Sequence, residues 1–435
     1  MPKINFLLLK VTLLLISLNI YAYNGIQLIK KENSDSNTTL LVIGGIHGDE
    51  PGGYFSASLL ATHYKITSKN LWIVPNLNKD SIQKDSRGIN GDMNRKFATY
   101  KKGDKDAKTI EDIKKIILSK NISLVLNLHD GHGFYRKENH GKIFNPNSWG
   151  QTCVIDQCNL NQNQQFGNLS NIAVTVKERI NKKLIEDHHS FDVRNTNTKF
   201  DDEEMQLSLT YFAVTNNKPA FAIESSKNLS SLSQKVFYQL LAIEEFMNIM
   251  QIKFTRDFDL NEKNLSKIIK NYGTLSINGN ILITLSNIKK HLSYIPIKSN
   301  HNLFKFSNPL GSVSNKNGKY IIYVGNKKIT TLKPQNFKMD YNCVKQFHAE
   351  VDGKLSSVNA GSDIFPSKSF KIIPEDNIRV NIIGYKSKTH TNESGISIKL
   401  KDMSKKYSID NKNKIYRIEF YKNNKFCFMS KVEFR

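Results

Sequence analysis

Short apolar runs alternate with longer amphipathic stretches between residues 39 and 250. The run Thr39-Leu40-Leu41-Val42-Ile43 is continuously apolar, as a strand buried on both faces must be. Similar runs at 71–74, 124–128 and 219–223 predict three more strands. Between them the spacing predicts helices near 53–64, 108–120 and 166–184, with a long one at 229–250. In the third helix Phe166, Leu169, Ile172, Ala173 and Val176 recur at helical spacing. In the fourth, Leu232, Val236, Leu240, Ile243, Phe246 and Met247 share one side. Strands alternating with helices build βαβ units. The predicted fold class is therefore an α/β domain with a mixed, largely parallel sheet flanked by helices.

From residue 252 onward the pattern changes. Short segments such as Asn280-Ile281-Leu282-Ile283-Thr284, Tyr320-Ile321-Ile322-Tyr323-Val324 and Tyr416-Arg417-Ile418-Glu419-Phe420 are separated by Gly, Asn, Pro and Asp. They predict two small all-β domains, at 252–337 and 338–435, with a break near Pro334. Neither carries clustered catalytic side chains, so substrate docking, regulation or plain stabilisation is expected of them.

Parallel strands place their C-terminal ends on one edge, where ligand sites form. The first strand ends in Gly44-Gly45-Ile46-His47-Gly48-Asp49-Glu50. An imidazole and a carboxylate three residues apart are half of a zinc site, which needs a third ligand and an open position. His129 ends the third strand on the same edge and is a candidate for that ligand. Asp130 is a candidate to orient a ligand histidine, and His132 is a candidate supporting or substrate residue. Glu224 ends the fourth strand, placed to act as general base or to form a structural ion pair. The segment Asp85–Phe97 is a polar loop in which Arg87, Asn94 and Arg95 can engage a carboxylate or an oxyanion. The long loop 135–163 carries Trp149, either a pocket wall or a buried anchor. The acidic run Asp201-Asp202-Glu203-Glu204 is expected to be solvated.

Composition adds a compartment. Lys3 and the apolar run from Phe6 to Ile20, interrupted by Lys10, form an export signal ending near Ile20-Tyr21-Ala22, so residues 1–22 are expected to be cleaved or kept as an anchor. The folded part, residues 23–251 and beyond, is then exported. Four cysteines fit an oxidising compartment, with Cys153–Cys158 and Cys343–Cys427 as one of three pairings. The net charge of +24 asks for an anionic partner. No helix-turn-helix, zinc-finger or RNA-binding signature is present, which disfavours nucleic acid.

With His47, Glu50, Arg87, Asn94, Arg95, His129 and Glu224 in that order, residues 38–250 resemble the zinc carboxypeptidases of the carboxypeptidase A type. The resemblance implies that His47, Glu50 and His129 bind Zn2+ and that Arg87 polarises the scissile carbonyl. It further implies that Asn94 and Arg95 bind the substrate's terminal carboxylate and that Glu224 is the base. The family's mobile tyrosine has no clear counterpart, and Tyr211 is the nearest candidate. More narrowly, the layout resembles the cell-shape-determining peptidoglycan carboxypeptidases of helical bacteria. That resemblance implies a periplasmic enzyme with an immunoglobulin-like last domain. It would trim peptidoglycan stem tripeptides to dipeptides by releasing meso-diaminopimelate, with other cell-wall or cell-shape proteins as partners of the β domains. The Gly-Gly-Ile-His-Gly-Asp-Glu and Asp-Met-Asn-Arg segments also resemble the aspartoacylase and succinylglutamate desuccinylase branch, a zinc deacylase of N-acyl amino acids. A third reading is an inactive cell-wall-binding protein.

Overall fold

The computed structural model describes residues 20–23, 25–33, 36–160, 164–386 and 391–435. Most of the expected export signal lies outside the described residues. Among the described residues no helix is long and apolar enough to cross a membrane.

The central sheet has eight strands: β1 (Ile20–Tyr23), β2 (Ile26–Lys31), β3 (Thr39–Gly44), β4 (Asn70–Val74), β5 (Ile122–Gly131), β6 (Thr152–Ile155), β7 (Asp192–Asn195) and β8 (Ala220–Ser226). Their spatial order is β1-β2-β4-β3-β5-β8-β6-β7. The centre, β4-β3-β5-β8, is parallel throughout. Leu40, Leu41, Val42 and Ile43 of β3 have no exposed surface, as a strand covered on both faces requires. The helices α1 (Pro51–His63), α2 (Ala107–Ile117), α3 (Leu169–Ile180), α4 (Leu209–Thr215) and α5 (Leu232–Ile249) flank this sheet. Of these, α1 and α3 both pack against α5.

Beyond β5 the pattern departs from a simple βαβ repeat. The chain stays at the C-terminal edge of the sheet through residues 132–151 and returns as β6, antiparallel to β8, with Thr152 opposite Glu224. Strands β6 and β7 were not evident in the sequence, because each is only four residues long and β7 is mainly polar. Strand β6 also corrects the expectation of a loop over 135–163. The cysteines follow from the same geometry. Cys153 is buried within β6, Cys158 is exposed beyond its end, and both are free thiols. The pairing Cys153–Cys158 is therefore not made, whereas Cys343 and Cys427 are joined.

The β-rich region follows. One small sheet contains Thr274–Ile277, Ile281–Thr284 and Phe304–Phe306, and another contains His291–Ile297, Gly311–Lys316, Lys319–Val324 and Lys327–Asn336. Pro334 lies inside the last of these strands rather than at a break. It sits past the final pair with Lys319–Val324, Leu332 opposite Tyr320, where its missing N–H costs that ladder nothing. This region shares one apolar core with the α/β domain. Ser58 on α1 donates to Asn308 at 3.2 Å, and Gln83 donates to Ser312 at 2.6 Å. The last residues form two three-stranded antiparallel sheets around a separate core that includes Phe347, Phe370, Tyr416 and Phe420. Arg417 ties them to the middle sheet by donating to the carbonyls of Ser293 and Tyr294.

Candidate metal centre and active-site cleft

Three strand ends bring the chemistry together. Gly44 at the end of β3 is level with Leu128 of β5, and His129 is opposite Glu224 of β8. The turn after β3 carries His47 and Glu50, and Pro51 opens α1 at a position where its missing N–H is harmless. Gly52 and Gly53 let that helix approach β5. A Cβ on Gly53 would sit 2.7 Å from the Leu128 carbonyl oxygen, and one on Gly52 would sit 2.2 Å from Asp130 Oδ1. A larger residue at either place would push Glu50 away from His129.

Glu50 joins the two imidazoles. His47 Nδ1 is 2.9 Å from its Oε1, and His129 Nδ1 is 2.8 Å from its Oε2. All three side chains are buried, and their ligand atoms lie within 4.8 Å of one another. Two imidazole nitrogens and a carboxylate suit a divalent transition ion and leave positions open for water or substrate. The opposite nitrogen of His47, Nε2, is held by Asp92 Oδ1 at 2.7 Å. That bond fixes the ring with Nδ1 turned to the shared carboxylate, the arrangement in which a supporting carboxylate orients a ligand histidine.

The charges follow from this packing. Burial alone would raise the Glu50 pKa, yet His47 and His129 hold it well below the usual carboxylate range. Burial would likewise lower that of His47, but Glu50 and Asp92 outweigh it and carry it up to about 9. For His129 burial wins, and its pKa falls below the ordinary histidine value. Glu224 is pushed well above the carboxylate range, first by burial and then by the charge of Glu50. A carboxyl with that shift exchanges protons more readily near neutral pH than an ordinary glutamate.

His47, Glu50, Arg87, Asn94, Arg95, His129, Trp149 and Glu224 all line one cleft of about 330 Å³. Arg87 donates to Asp92 at 2.9 Å and to Glu50 at 3.1 Å. Asp92 also caps the short turn Met93–Arg95 by accepting the Asn94 N–H. Asn94 is buried, and its Oδ1 accepts the Leu209 N–H at 3.0 Å, which sets the cleft floor against α4. Trp149 is half-buried under the guanidinium of Arg194, 3.8 Å from its ring centroid. His132 lines the cleft, while Tyr211 is not among its lining residues although its neighbour Thr210 is.

Asp130 does not orient a histidine. Its carboxylate accepts the Gly52 N–H at 2.8 Å and the Ser225 hydroxyl at 2.5 Å, and burial raises its pKa to about 6. Alternation along β5 turns it to the face opposite His129. The residue that does orient a histidine, Asp92, lies 45 positions from His47 in a loop, and no periodic pattern points to it. The sequence also concealed Lys227, which pairs with Asp49 at 2.7 Å, and the cleft-lining Asp202 and Glu204 of the acidic run.

Comparisons with known proteins agree with this geometry. Residues 1–270 match the family of catalytic domains described as carboxypeptidases controlling helical cell shape. Residues 341–435 match a C-terminal domain of metallo-carboxypeptidases. Crystal structures of the cell shape determinant protein Csd4 from Helicobacter pylori superpose on this chain at 36% sequence identity. The apo and tripeptide-bound forms do so with a TM-score of 0.87, covering 94% of this chain and 100% of that one. The mDAP-bound form of that D,L-carboxypeptidase superposes with a TM-score of 0.88 over the same shares. No curated protein sequence matches this chain. The chain belongs to the family of metallo-carboxypeptidases that control helical cell shape.

Proposed function

We propose that this protein is a zinc-dependent D,L-carboxypeptidase of the periplasm. It removes the terminal diaminopimelate from peptidoglycan stem tripeptides and leaves dipeptides. The observation that carries this reading is the convergence of the His47–Glu50–His129 trio, Glu224, Arg87 and Arg95 in one cleft. The 36% identity to a relative crystallised with a tripeptide and with mDAP supports the substrate class.

His47, Glu50 and His129 would hold the ion. When bound, zinc polarises the scissile carbonyl and activates water as a nucleophile. Glu224 takes a proton from the attacking water and returns it to the leaving amine. Arg87 faces the charge that develops on the carbonyl oxygen, a contribution typically worth about 3–4 kcal/mol for one well-placed donor. Arg95 and Asn94 hold the terminal carboxylate, which makes the reaction an exopeptidase cleavage. Trp149, backed by Arg194, walls the pocket for the released residue.

Incubation of the purified protein with defined muropeptides, followed by mass analysis, tests the reading. Conversion of tripeptides to dipeptides, stopped by a chelator and restored by zinc, is expected. Hydrolysis of free N-acyl amino acids with tripeptides untouched would favour the deacylase reading. Binding to cell wall without any product would favour an inactive binding protein.

A further inference from the structure

Outside the cleft, Glu186, His188 and His189 also bring three ligand atoms within 4.8 Å of one another. They lie on the single helical turn Asp187–His189 and the residue before it, ahead of β7. Glu186 and His188 face solvent and His189 is buried. This group is held more firmly than a chance surface grouping. His189 Nδ1 is 2.9 Å from the Tyr238 hydroxyl, and that hydroxyl accepts the Ile185 N–H at 2.9 Å. A proton donated from Nδ1 to the tyrosine oxygen leaves Nε2 with its lone pair, the usual way a supporting group prepares a ligand histidine.

His188 is fixed as well. Its ring meets that of His189 edge-on at 4.3 Å and also packs against Phe134 and Phe144. His189 stacks on Phe134 at 5.9 Å. His188 Nδ1 is 3.4 Å from Glu186 Oε2. That exceeds the roughly 2.7–2.9 Å of a charge-assisted hydrogen bond. It matches the roughly 3.4 Å between two ligands on a tetrahedral ion with bonds of about 2.1 Å.

We propose that Glu186, His188 and His189 form a second site for a divalent transition ion of the zinc class, separate from the cleft. Its role is structural, as its surroundings show. The His189 carbonyl accepts from Gln151 Nε2 at 2.7 Å, and Gln151 Oε1 accepts the Ser226 N–H at 3.2 Å. Arg136, on the 132–151 segment, donates to the His188 carbonyl at 2.7 Å. An ion here pins the cleft wall that carries His132 and Trp149 to the end of β8, two residues from Glu224. The proposal does not depend on the reaction assigned to the cleft.

The test is a zinc chloride titration of the chelator-stripped full chain by calorimetry, with bound zinc counted by elemental analysis. The wild type is expected to bind two ions per chain. His188→Ala and His47→Ala are each expected to bind one, and the double variant none. His188 is half exposed, so its loss leaves the fold intact, which circular dichroism checks. Glu186→Gln keeps the shape of the turn and is expected to weaken the second site at least tenfold. One ion in the wild type, two in His188→Ala, or an unchanged second affinity in Glu186→Gln would overturn the proposal.

Discussion

Asp92 Oδ1 lies 2.7 Å from Nε2 of His47, so a half-buried loop residue sets the orientation of a buried imidazole. The same carboxylate accepts from Arg87 at 2.9 Å. One side chain thus positions both a candidate metal ligand and a candidate oxyanion partner.

Asp92→Asn keeps the shape but loses the charge on His47. Metal affinity is expected to fall about 10–100-fold, the usual effect of removing a supporting carboxylate. Competition with a chelator of known strength measures it. An unchanged affinity would show that His47 is held by packing alone.

Glu224→Gln removes the proton acceptor without removing a ligand. The turnover number is expected to fall by about 10²–10⁴-fold while bound metal stays constant. Glu224 lines the cleft and, among the described residues, makes no ion pair, so the fold is expected to survive. Full turnover in this variant would take Glu224 out of the mechanism, and lost metal would make it a ligand instead.

Arg95→Ala removes the proposed anchor for the terminal carboxylate. A hydrogen bond to a charged group is worth about 1.5–3 kcal/mol, so KM is expected to rise about 10–150-fold for the free tripeptide. A tripeptide amidated at its terminus should be hydrolysed equally poorly by the wild type and the variant. Equal losses on both substrates would mean that the anchor lies elsewhere.

How far the site was legible follows from where its residues lie. His47, Glu50, His129 and Glu224 sit at the ends of buried parallel strands, and a run of apolar residues followed by a polar one marks such ends. The register His129 opposite Glu224 is what that topology implies. Asp92, Lys227 and Glu204 enter through loops, whose paths depend on tertiary contacts such as Phe97 N–H to the Leu207 carbonyl. No local pattern encodes those. Asp130 was misplaced for a simpler reason, since it is adjacent to His129 on a strand and so faces the other way. The Cys343–Cys427 bridge spans 84 residues and could only be offered as one of three pairings, and the strand that buries Cys153 was too short to be read.

Asp156 makes a prediction about stability rather than catalysis. It follows β6, is 2% exposed, and accepts from Thr198 Oγ1 at 2.6 Å. Burial raises its pKa from 3.8 to about 6, against the opposing hydrogen bonds from Thr198 and Thr210. The folded protein therefore holds this proton more tightly than the unfolded chain does. Below about pH 4 both states are protonated and the group costs nothing. As pH rises through 6 the folded state must carry a buried charge, and stability falls by up to about 3 kcal/mol. Asp156→Asn stays neutral at every pH. It is expected to stabilise the protein by about 1–3 kcal/mol at pH 7 and to change little at pH 4. Urea denaturation of both proteins at the two pH values measures the difference. A variant less stable than the wild type at pH 7 would mean that the ionised carboxylate is favourable where it sits.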